Sequence, residues 1–313
     1  MDINRYSPSY CVEKKHLVTL DDYTTEEIFE ILYATKAMKA KFIAKEPTNI
    51  LTGLTVALLF GEPSLRTYSA LEIGTSQLGG TCMNLTYSKQ DMLAGENIKD
   101  VVDVISRYGV GALITRGIGG RELNEYCAAS EISIINSSNE DSVPMQTLCD
   151  LFTIWEKFKK LEGLKLAYVG KGGNTAVSLL MGAIKCGMKI SVATPEQYRI
   201  SQEQLDNALQ FGNFVYTTYP VEAVRDADIV YTDGYQYHEQ ITDKEREILR
   251  PYQVNKGLMA YAKYNAAFMH PLPATRGLEV TADIIDVKHS MVLEQGENRL
   301  HTIKALLALL VKF

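Results

Sequence analysis

The chain has little of what marks membrane, secreted and nucleic-acid-binding proteins. Among its 313 residues no apolar run approaches the roughly 20 residues that span a bilayer. The N-terminal stretch lacks the apolar core of a signal peptide. The formal net charge is -6, so the chain as a whole does not attract a polyanion. We therefore expect neither a membrane nor a nucleic acid as a partner.

Cysteine is also scarce, and its five residues show no C-x-x-C spacing. Scattered cysteines of this kind predict neither a disulfide framework nor a zinc site, and they suit a reducing cytoplasm. Because apolar residues flank Cys82, Cys149 and Cys186, we interpret these three as buried thiols. The expected location is therefore cytoplasmic.

What the chain does have is a strand and helix alternation that runs through both halves. Apolar runs that stop at glycine, proline or a polar residue predict strands over 54–60, 111–115, 165–170 and 266–270. Segments of helical period lie between them. Because strands that alternate with helices form parallel sheets, we predict an α/β chain with two doubly wound domains. The length suits two domains of roughly 150 residues each.

The domain connection is placed along a helix predicted over 145–160. The first domain then covers 1–148 and the second covers 149–297. A last, strongly apolar helix is predicted over 298–313, and its apolar surface requires a packing partner.

The stretch FGEPSLRTYSALEIGTSQLG, residues 60–79, predicts an anion site. Ser64 suits the N-cap of the helix that follows the first strand, and Arg66 and Thr67 fall in its first turn. An arginine there opposes the helix dipole unless an anion lies at the helix end. The alternative is an ordinary helix with a serine cap.

Further polar residues directly follow predicted strands. They are Arg116, Asn174, Asp233 and His270. Ligands of open parallel sheets bind beyond the carboxyl ends of the strands, so these residues are candidates for one site.

Ser64-Leu65-Arg66-Thr67 resembles the carbamoyl phosphate loop, Ser-x-Arg-Thr, of the aspartate and ornithine carbamoyltransferase family. Further matches follow in the family's order and cover nearly the whole chain. They are ALITRG, SVPMQTLCDLFTI, YVGKGGNTAVSLL, ADIVYTDG, FMHPLPATRGLEVT and QGENRLHTIKALL.

The resemblance implies the carbamoyltransferase fold and transfer of the carbamoyl group of carbamoyl phosphate to an amine, with no metal or cofactor. It assigns carbamoyl phosphate to domain 1–148, onto which helix 298–313 packs back, and the acceptor to domain 149–297. The implied phosphate and carbamoyl contacts are Ser64, Leu65, Arg66, Thr67, Arg116 and Gln146. The implied closing residues are His270, Pro271, Leu272 and Arg299. Asn174 and Asp233 match residues that hold the amino-acid end of the acceptor. A homotrimer is also implied.

Several positions depart from the family's pattern. The usual Ser-Thr-Arg-Thr-Arg has Leu65 and Tyr68 as its second and fifth residues, and Val143 replaces a histidine that donates to the carbamoyl oxygen. Losing one such donor typically costs about 3–4 kcal/mol of transition-state stabilisation. Gly95 or Ala94 stands where a loop lysine is usual, and the ornithine branch's Ser-Met-Gly is absent after Asp233.

These departures leave two interpretations open. One is a transferase for an amino-acid-like or diamine acceptor other than ordinary ornithine or aspartate, with His238 as the base and Tyr68, His238 or Lys171 as a replacement donor. The other is a noncatalytic homologue that binds a ligand or a partner. A nicotinamide enzyme is disfavoured because GKGGNT has G-x-G-G spacing rather than G-x-G-x-x-G.

Overall fold

The structure, a computed structural model, describes residues 1–85, 98–235 and 241–311. The chain forms two compact units. The N-terminal unit comprises Ser7–Phe152 with Asn298–Phe313, and the C-terminal unit comprises Met1–Tyr6 with Thr153–Glu297. The assignment of one substrate to 1–148 and the other to 149–297 stays a prediction.

The N-terminal unit contains a sheet of four parallel strands. The strands are β1 (Thr55–Phe60), β2 (Thr81–Asn84), β3 (Val110–Arg116) and β4 (Ser133–Ser138). The helices are α1 (Thr25–Ile43), α2 (Leu65–Gln77), α3 (Ile98–Arg107), α4 (Gly120–Ala129) and the first part of α5 (Pro144–Phe158).

The strand order of this sheet is β2-β1-β3-β4, so the order reverses between β1 and β3. Phe60 lies opposite Arg116 at the ends of these two neighbours. The loops after β1 and β3 therefore begin side by side at the carboxyl edge. Open parallel sheets bind ligands in the crevice that such a reversal leaves.

The C-terminal unit contains a sheet of five parallel strands. The strands are β5 (Lys165–Val169), β6 (Lys189–Ala193), β7 (Val215–Thr217), β8 (Ile229–Tyr231) and β9 (Ala267–Met269). The helices are α6 (Asn174–Lys185), α7 (Gln202–Leu209), α8 (Pro220–Val224), α9 (Asp243–Leu249), α10 (Lys256–Met259), α11 (Ala282–Ile285) and the first part of α12 (Val292–Leu310).

The strand order here is β7-β6-β5-β8-β9, and it reverses between β5 and β8. Tyr168 of β5 lies opposite Tyr231 of β8, and Tyr231 lies opposite Met269 of β9. The loops that carry Asn174, Asp233 and His270 therefore leave three adjacent strands at one edge.

The two parallel, doubly wound sheets predicted from the sequence are confirmed. Strands with apolar runs are buried on both faces, as parallel sheets require; Val56, Ala57 and Leu58 of β1 are all 0 % exposed. Within the described residues, no helix combines the length and the apolar character that a bilayer crossing needs.

Three expectations are corrected. The last helix begins at Val292, six residues before the predicted start, because Val292 and Gln295 continue its buried side while Glu294 and Glu297 lie on its exposed side. Helix α1, which was not predicted, has a capping box formed by Thr24 and Glu27. Cys82 is half-buried, whereas Cys149 and Cys186 are buried as predicted.

The end of α12 is tied to the N-terminal unit's sheet by a buried side chain. The Ser133 hydroxyl, on β4, donates to the carbonyl oxygen of Leu310 at 2.5 Å. Carbonyl groups in the last turn of a helix have no partner within it, so this bond satisfies one of them.

Replacing Ser133 by alanine should therefore leave the Leu310 carbonyl buried without its donor. We expect a loss of about 1–2 kcal/mol and a fall of about 2–4 °C in the unfolding midpoint, measured by calorimetry. Ser106→Ala is the control because the Ser106 hydroxyl donates only to Asp103 within its own helix. Equal midpoints for the two variants would contradict the anchoring role.

Candidate active site

The candidate site of the N-terminal unit lies at the start of α2. Ser64 has an extended backbone, and its hydroxyl donates to the Thr67 hydroxyl at 2.9 Å. Ser64 is the N-cap residue of α2, as predicted, but its side chain makes no cap hydrogen bond, because its hydroxyl is turned toward Thr67 instead of accepting from a backbone N–H of the helix. Uncapped N–H groups at the positive end of a helix suit an anion.

The side chains around this helix end differ in exposure. Thr67 is buried, Arg66 is exposed, and Leu65 is 81 % exposed. The Arg66 guanidinium and the start of α2 are thus accessible within this unit, whereas the Ser64 and Thr67 hydroxyls are hydrogen-bonded to each other.

Arg116 stands at the end of β3, beside the loop that leads to α2. Its carbonyl oxygen accepts from the N–H of Gly61 at 2.8 Å. Gly117 has a φ of 65°, and a Cβ there would lie 2.7 Å from Cγ of Glu62. Glycine therefore allows both the left-handed turn and the close approach of the two loops, which keeps Arg116 next to the start of α2.

Gln146 and Arg299 form a second group of polar residues in the N-terminal unit. The Gln146 amide donates to Asp150 Oδ1 at 2.6 Å, one turn further along α5. Arg299, on α12, donates from Nη2 to Gln146 Oε1. Gln146 and Asp150 are buried and Arg299 is half-buried, so the glutamine amide is held between a carboxylate and a guanidinium. Arg299, implied by the resemblance to close the site, is thus paired with an amide oxygen.

Two positions that depart from the family's pattern pack as apolar groups here. Val143, just before α5, is 7 % exposed. The Tyr68 ring meets the Phe60 ring edge-on at a centroid distance of 6.5 Å. Tyr68 therefore contributes packing at the end of β1, and its suggested role as a replacement donor stays a prediction.

The candidate site of the C-terminal unit lies at the ends of β5 and β8. Asn174 is the first residue of α6, after the glycine-rich turn 170–173. Asp233 follows β8 and is 4 % exposed. The Tyr168 hydroxyl lies 2.7 Å from Asp233 Oδ1 and 2.6 Å from the carbonyl oxygen of Lys171. One buried tyrosine thus connects the two loops.

His270 and the loop after β9 also belong to the candidate site of the C-terminal unit. His270 is fully buried, and its Nδ1 accepts from the Leu272 N–H at 2.9 Å. The ring proton therefore lies on Nε2, which faces Glu279 Oε1 at 3.4 Å. The His270 N–H donates to Gln295 Oε1 at 3.0 Å. Both ring nitrogens of His270 are directed at the protein.

Leu272 adopts a left-handed backbone with a φ of 55°. This conformation costs a leucine about 1–2 kcal/mol. Glu279, which is also fully buried, accepts from the N–H of Thr275 as well as facing His270. The carboxylate therefore accepts a hydrogen bond at the Thr275 end of this segment and lies beside the ring at the His270 end. Backbone strain such as that at Leu272 concentrates at ligand-binding loops.

Lys171 points away from Asp233. Its ammonium lies 3.5 Å from Glu245 Oε1 and 4.8 Å from the centroid of the Tyr198 ring. Hydrogen bonds from the backbone and side chain of Thr242 lower the pKa of Glu245 to about 2, with further contributions from Tyr198 and Lys171. The charged run 243–247 is mostly exposed and forms the start of helix α9, whose Glu245 makes these contacts.

Some predicted site residues lie outside the described residues. They are His238 and the loop 88–96, which includes Ala94 and Gly95. Four supporting residues were not singled out from the sequence. They are Asp150, Tyr168, Glu279 and Gln295. A polar group in an apolar run, as in KLAYVG and GLEVT, is the signal that points to Tyr168 and Glu279.

Comparison with known proteins identifies the family to which this chain belongs. Residues 15–156 match the family described as "Aspartate/ornithine carbamoyltransferase, carbamoyl-P binding domain". Residues 162–310 match the family's "Asp/Orn binding domain". The chain belongs to the aspartate/ornithine carbamoyltransferase family, whose members are enzymes that transfer a carbamoyl group.

Individual relatives are similar over almost their full length. The anabolic ornithine carbamoyltransferase of Pyrococcus furiosus is 40 % identical over 304 residues, which are 95 % of this chain and 96 % of that protein. A solved structure of ornithine carbamoyltransferase from Pyrococcus furiosus has a TM-score of 0.89 at 40 % identity and covers 95 % of this chain and 97 % of its own. The Thermus thermophilus ornithine carbamoyltransferase structure has a TM-score of 0.86 at 32 % identity and covers 96 % and 100 %.

The depressed pKa of Glu245 predicts a pH-dependent stability. The contribution of this carboxylate is fully present above its unfolded value near 4.5 and is lost as the pH falls toward about 2. Glu245→Gln should therefore lower the unfolding midpoint at pH 6 and have a progressively smaller effect between pH 4.5 and pH 2.

Thermal unfolding followed by circular dichroism across this range measures the effect. Glu247→Gln, an exposed carboxylate on the same helix, controls for the change in net charge. A Glu245→Gln effect that is the same at pH 6 and at pH 2.5 would contradict the assigned contacts.

Proposed function

We propose that this chain transfers the carbamoyl group of carbamoyl phosphate to the amino group of an amino-acid-like or diamine acceptor. The observation that carries the proposal is the uncapped start of α2 beside Arg116, at the reversal point of the N-terminal sheet. In the reaction, the acceptor nitrogen attacks the carbonyl carbon. A C–N bond forms, the bond from that carbon to the phosphate oxygen breaks, phosphate leaves, and the nitrogen loses a proton.

The phosphate is assigned to the helix start. Its oxygens need cationic and N–H donors, which Arg66, Arg116 and the first N–H groups of α2 supply. The Ser64 hydroxyl donates to the Thr67 hydroxyl, so the buried Thr67 hydroxyl is held in place and keeps its own proton for the ligand. Gln146, held by Arg299 and Asp150, supplies an oriented amide for the carbamoyl group.

The acceptor is assigned to the C-terminal unit. Asp233 suits a cationic amino group, and Asn174 at the start of α6 suits an amide or carboxylate. His270 is better supported as a positioning residue than as a catalytic one, since its ring is fully buried and both of its nitrogens face the protein. It holds the turn at Pro271 and Leu272, whose backbone groups then remain for the substrate.

The proposal also concerns which amine is the acceptor. The relatives named above are ornithine carbamoyltransferases, which favours an amino acid with a side-chain amine. Val143 in place of a histidine, and the missing Ser-Met-Gly after Asp233, favour an acceptor other than ordinary ornithine or aspartate. His238 as the base and a homotrimer as the assembly belong to the same proposal.

A noncatalytic homologue is the second candidate. It is favoured by Val143, which replaces a donor with a buried apolar group, and by Lys171, whose charge is already paired with Glu245. Such a protein would keep the anion site and lack turnover.

The anion site is tested by Arg66→Ala. Loss of a charge-assisted phosphate contact should weaken binding of carbamoyl phosphate, or of inorganic phosphate, by about 2 kcal/mol or more. Titration calorimetry measures the change. Arg121→Ala is the matched control, since Arg121 is an exposed arginine of the same unit that pairs with Glu125. Unchanged affinity in Arg66→Ala would remove the site assignment.

The acceptor is tested by a panel of amines with carbamoyl phosphate. We expect L-ornithine and L-aspartate to give a kcat/KM at least about tenfold below that of the best diamine or modified amino acid, because a site that cannot pair a substrate's polar groups rejects it strongly. Release of phosphate together with a carbamoylated amine is the readout. Turnover highest with L-ornithine would refute the specialised acceptor. Binding of phosphate without any turnover would favour the noncatalytic candidate.

A further inference from the structure

Tyr168 joins the two loops to which the acceptor is assigned. It lies near the carboxyl end of β5 and is fully buried. Its ring stacks on the ring of Tyr231, the neighbour across to β8, with centroids 6.2 Å apart and planes at 29°. A phenylalanine at position 168 would keep both rings of this pair.

The hydroxyl has a separate set of contacts. It lies 2.6 Å from the carbonyl oxygen of Lys171 and 2.7 Å from Asp233 Oδ1. The carbonyl, and the carboxylate when ionised, can only accept, whereas a phenol carries one proton. One buried donor is therefore shared between an acceptor in the turn 170–173 and an acceptor after β8.

The surroundings leave little room for this contact to shift. Gly170 packs so closely that a Cβ there would lie 3.3 Å from the Tyr168 hydroxyl and 3.4 Å from the Tyr235 ring. Tyr235 is itself buried, and burial together with the charges of Asp233 and Glu279 raises its pKa well above the usual value. Tyr235 therefore stays a neutral phenol, and its own hydroxyl donates to the Tyr252 carbonyl at 2.8 Å.

We propose that Tyr168 is a positioning residue that orients the Asp233 carboxylate for the cationic amino group of the acceptor. The hydroxyl fixes Asp233 relative to the turn 170–173, and that turn leads directly into Asn174. The residue thus sets the spacing between the two side chains assigned to the acceptor. This inference rests on the proposed function of the C-terminal unit, and it adds a residue that does not itself touch the substrate.

The first test is Tyr168→Phe, which keeps the ring and its packing and removes one oxygen. A hydrogen bond to a charged group contributes about 1.5–3 kcal/mol, so the KM for the amine should rise about tenfold or more. The KM for carbamoyl phosphate should stay within about twofold, because its assigned residues belong to the other unit. The amines used are L-ornithine and putrescine, and their affinities are also measured by calorimetry.

Tyr252→Phe is the matched control. Tyr252 is another buried tyrosine of this unit, and its hydroxyl donates to the Thr218 carbonyl at 2.6 Å. Both variants lose a buried hydroxyl, so both should lower the unfolding midpoint. Only Tyr168→Phe should weaken amine binding. Equal amine affinities in the two variants would overturn the positioning role.

A double-mutant cycle with Asp233→Asn makes the second comparison. If Tyr168 acts through Asp233, adding Tyr168→Phe to Asp233→Asn should change the amine affinity by less than about twofold. Additive effects would show that Tyr168 acts independently of Asp233 and would overturn the inference. A wild-type chain that binds neither amine would overturn it as well. Amine binding without any carbamoyl product would instead refute the proposed transferase and leave the calorimetric comparison intact.

Discussion

The candidate site depends on one topological constraint, the reversal of strand order within each parallel sheet. The order reverses between β1 and β3 and between β5 and β8, and open parallel sheets bind ligands in the crevice at such a point. Chain segments that leave these ends begin side by side. Polar residues far apart in sequence, such as Arg116 and Ser64, therefore follow adjacent strands because of strand order.

The two reversal points have opposite chemical characters. The point between β1 and β3 has arginines and the N-terminal end of α2, which suit a phosphate. The point between β5 and β8 has a buried carboxylate and an amide, which suit an amino acid or amine. Carbamoyl phosphate is an anion and a protonated amine is a cation, so their charges complement the first and the second point, respectively. Hydroxyls and amides support the charged groups in both units, as with the Gln146 amide and the Tyr168 hydroxyl.

Much of this arrangement follows from the sequence. Apolar runs of strand length and polar residues at their ends predicted both sheets and placed Ser64, Arg66, Asn174 and Asp233 correctly at the strand ends, because these are local signals. The orientation of a side chain is not local. Ser64 is the N-cap residue of α2, yet its hydroxyl is directed to Thr67 instead of a helix N–H. The resemblance implies that His270 closes the site, yet its ring is fully buried and its Nδ1 accepts from the Leu272 N–H.

The central claim is that the start of α2 holds the phosphate of carbamoyl phosphate. A crystal structure with an unreactive methylene phosphonate analogue of carbamoyl phosphate tests it most directly. The account predicts that the phosphonate lies at the N-terminal end of α2, with its oxygens in contact with Ser64, Arg66 and Thr67. A phosphonate bound elsewhere, or an empty helix end at a saturating concentration of the analogue, would contradict it.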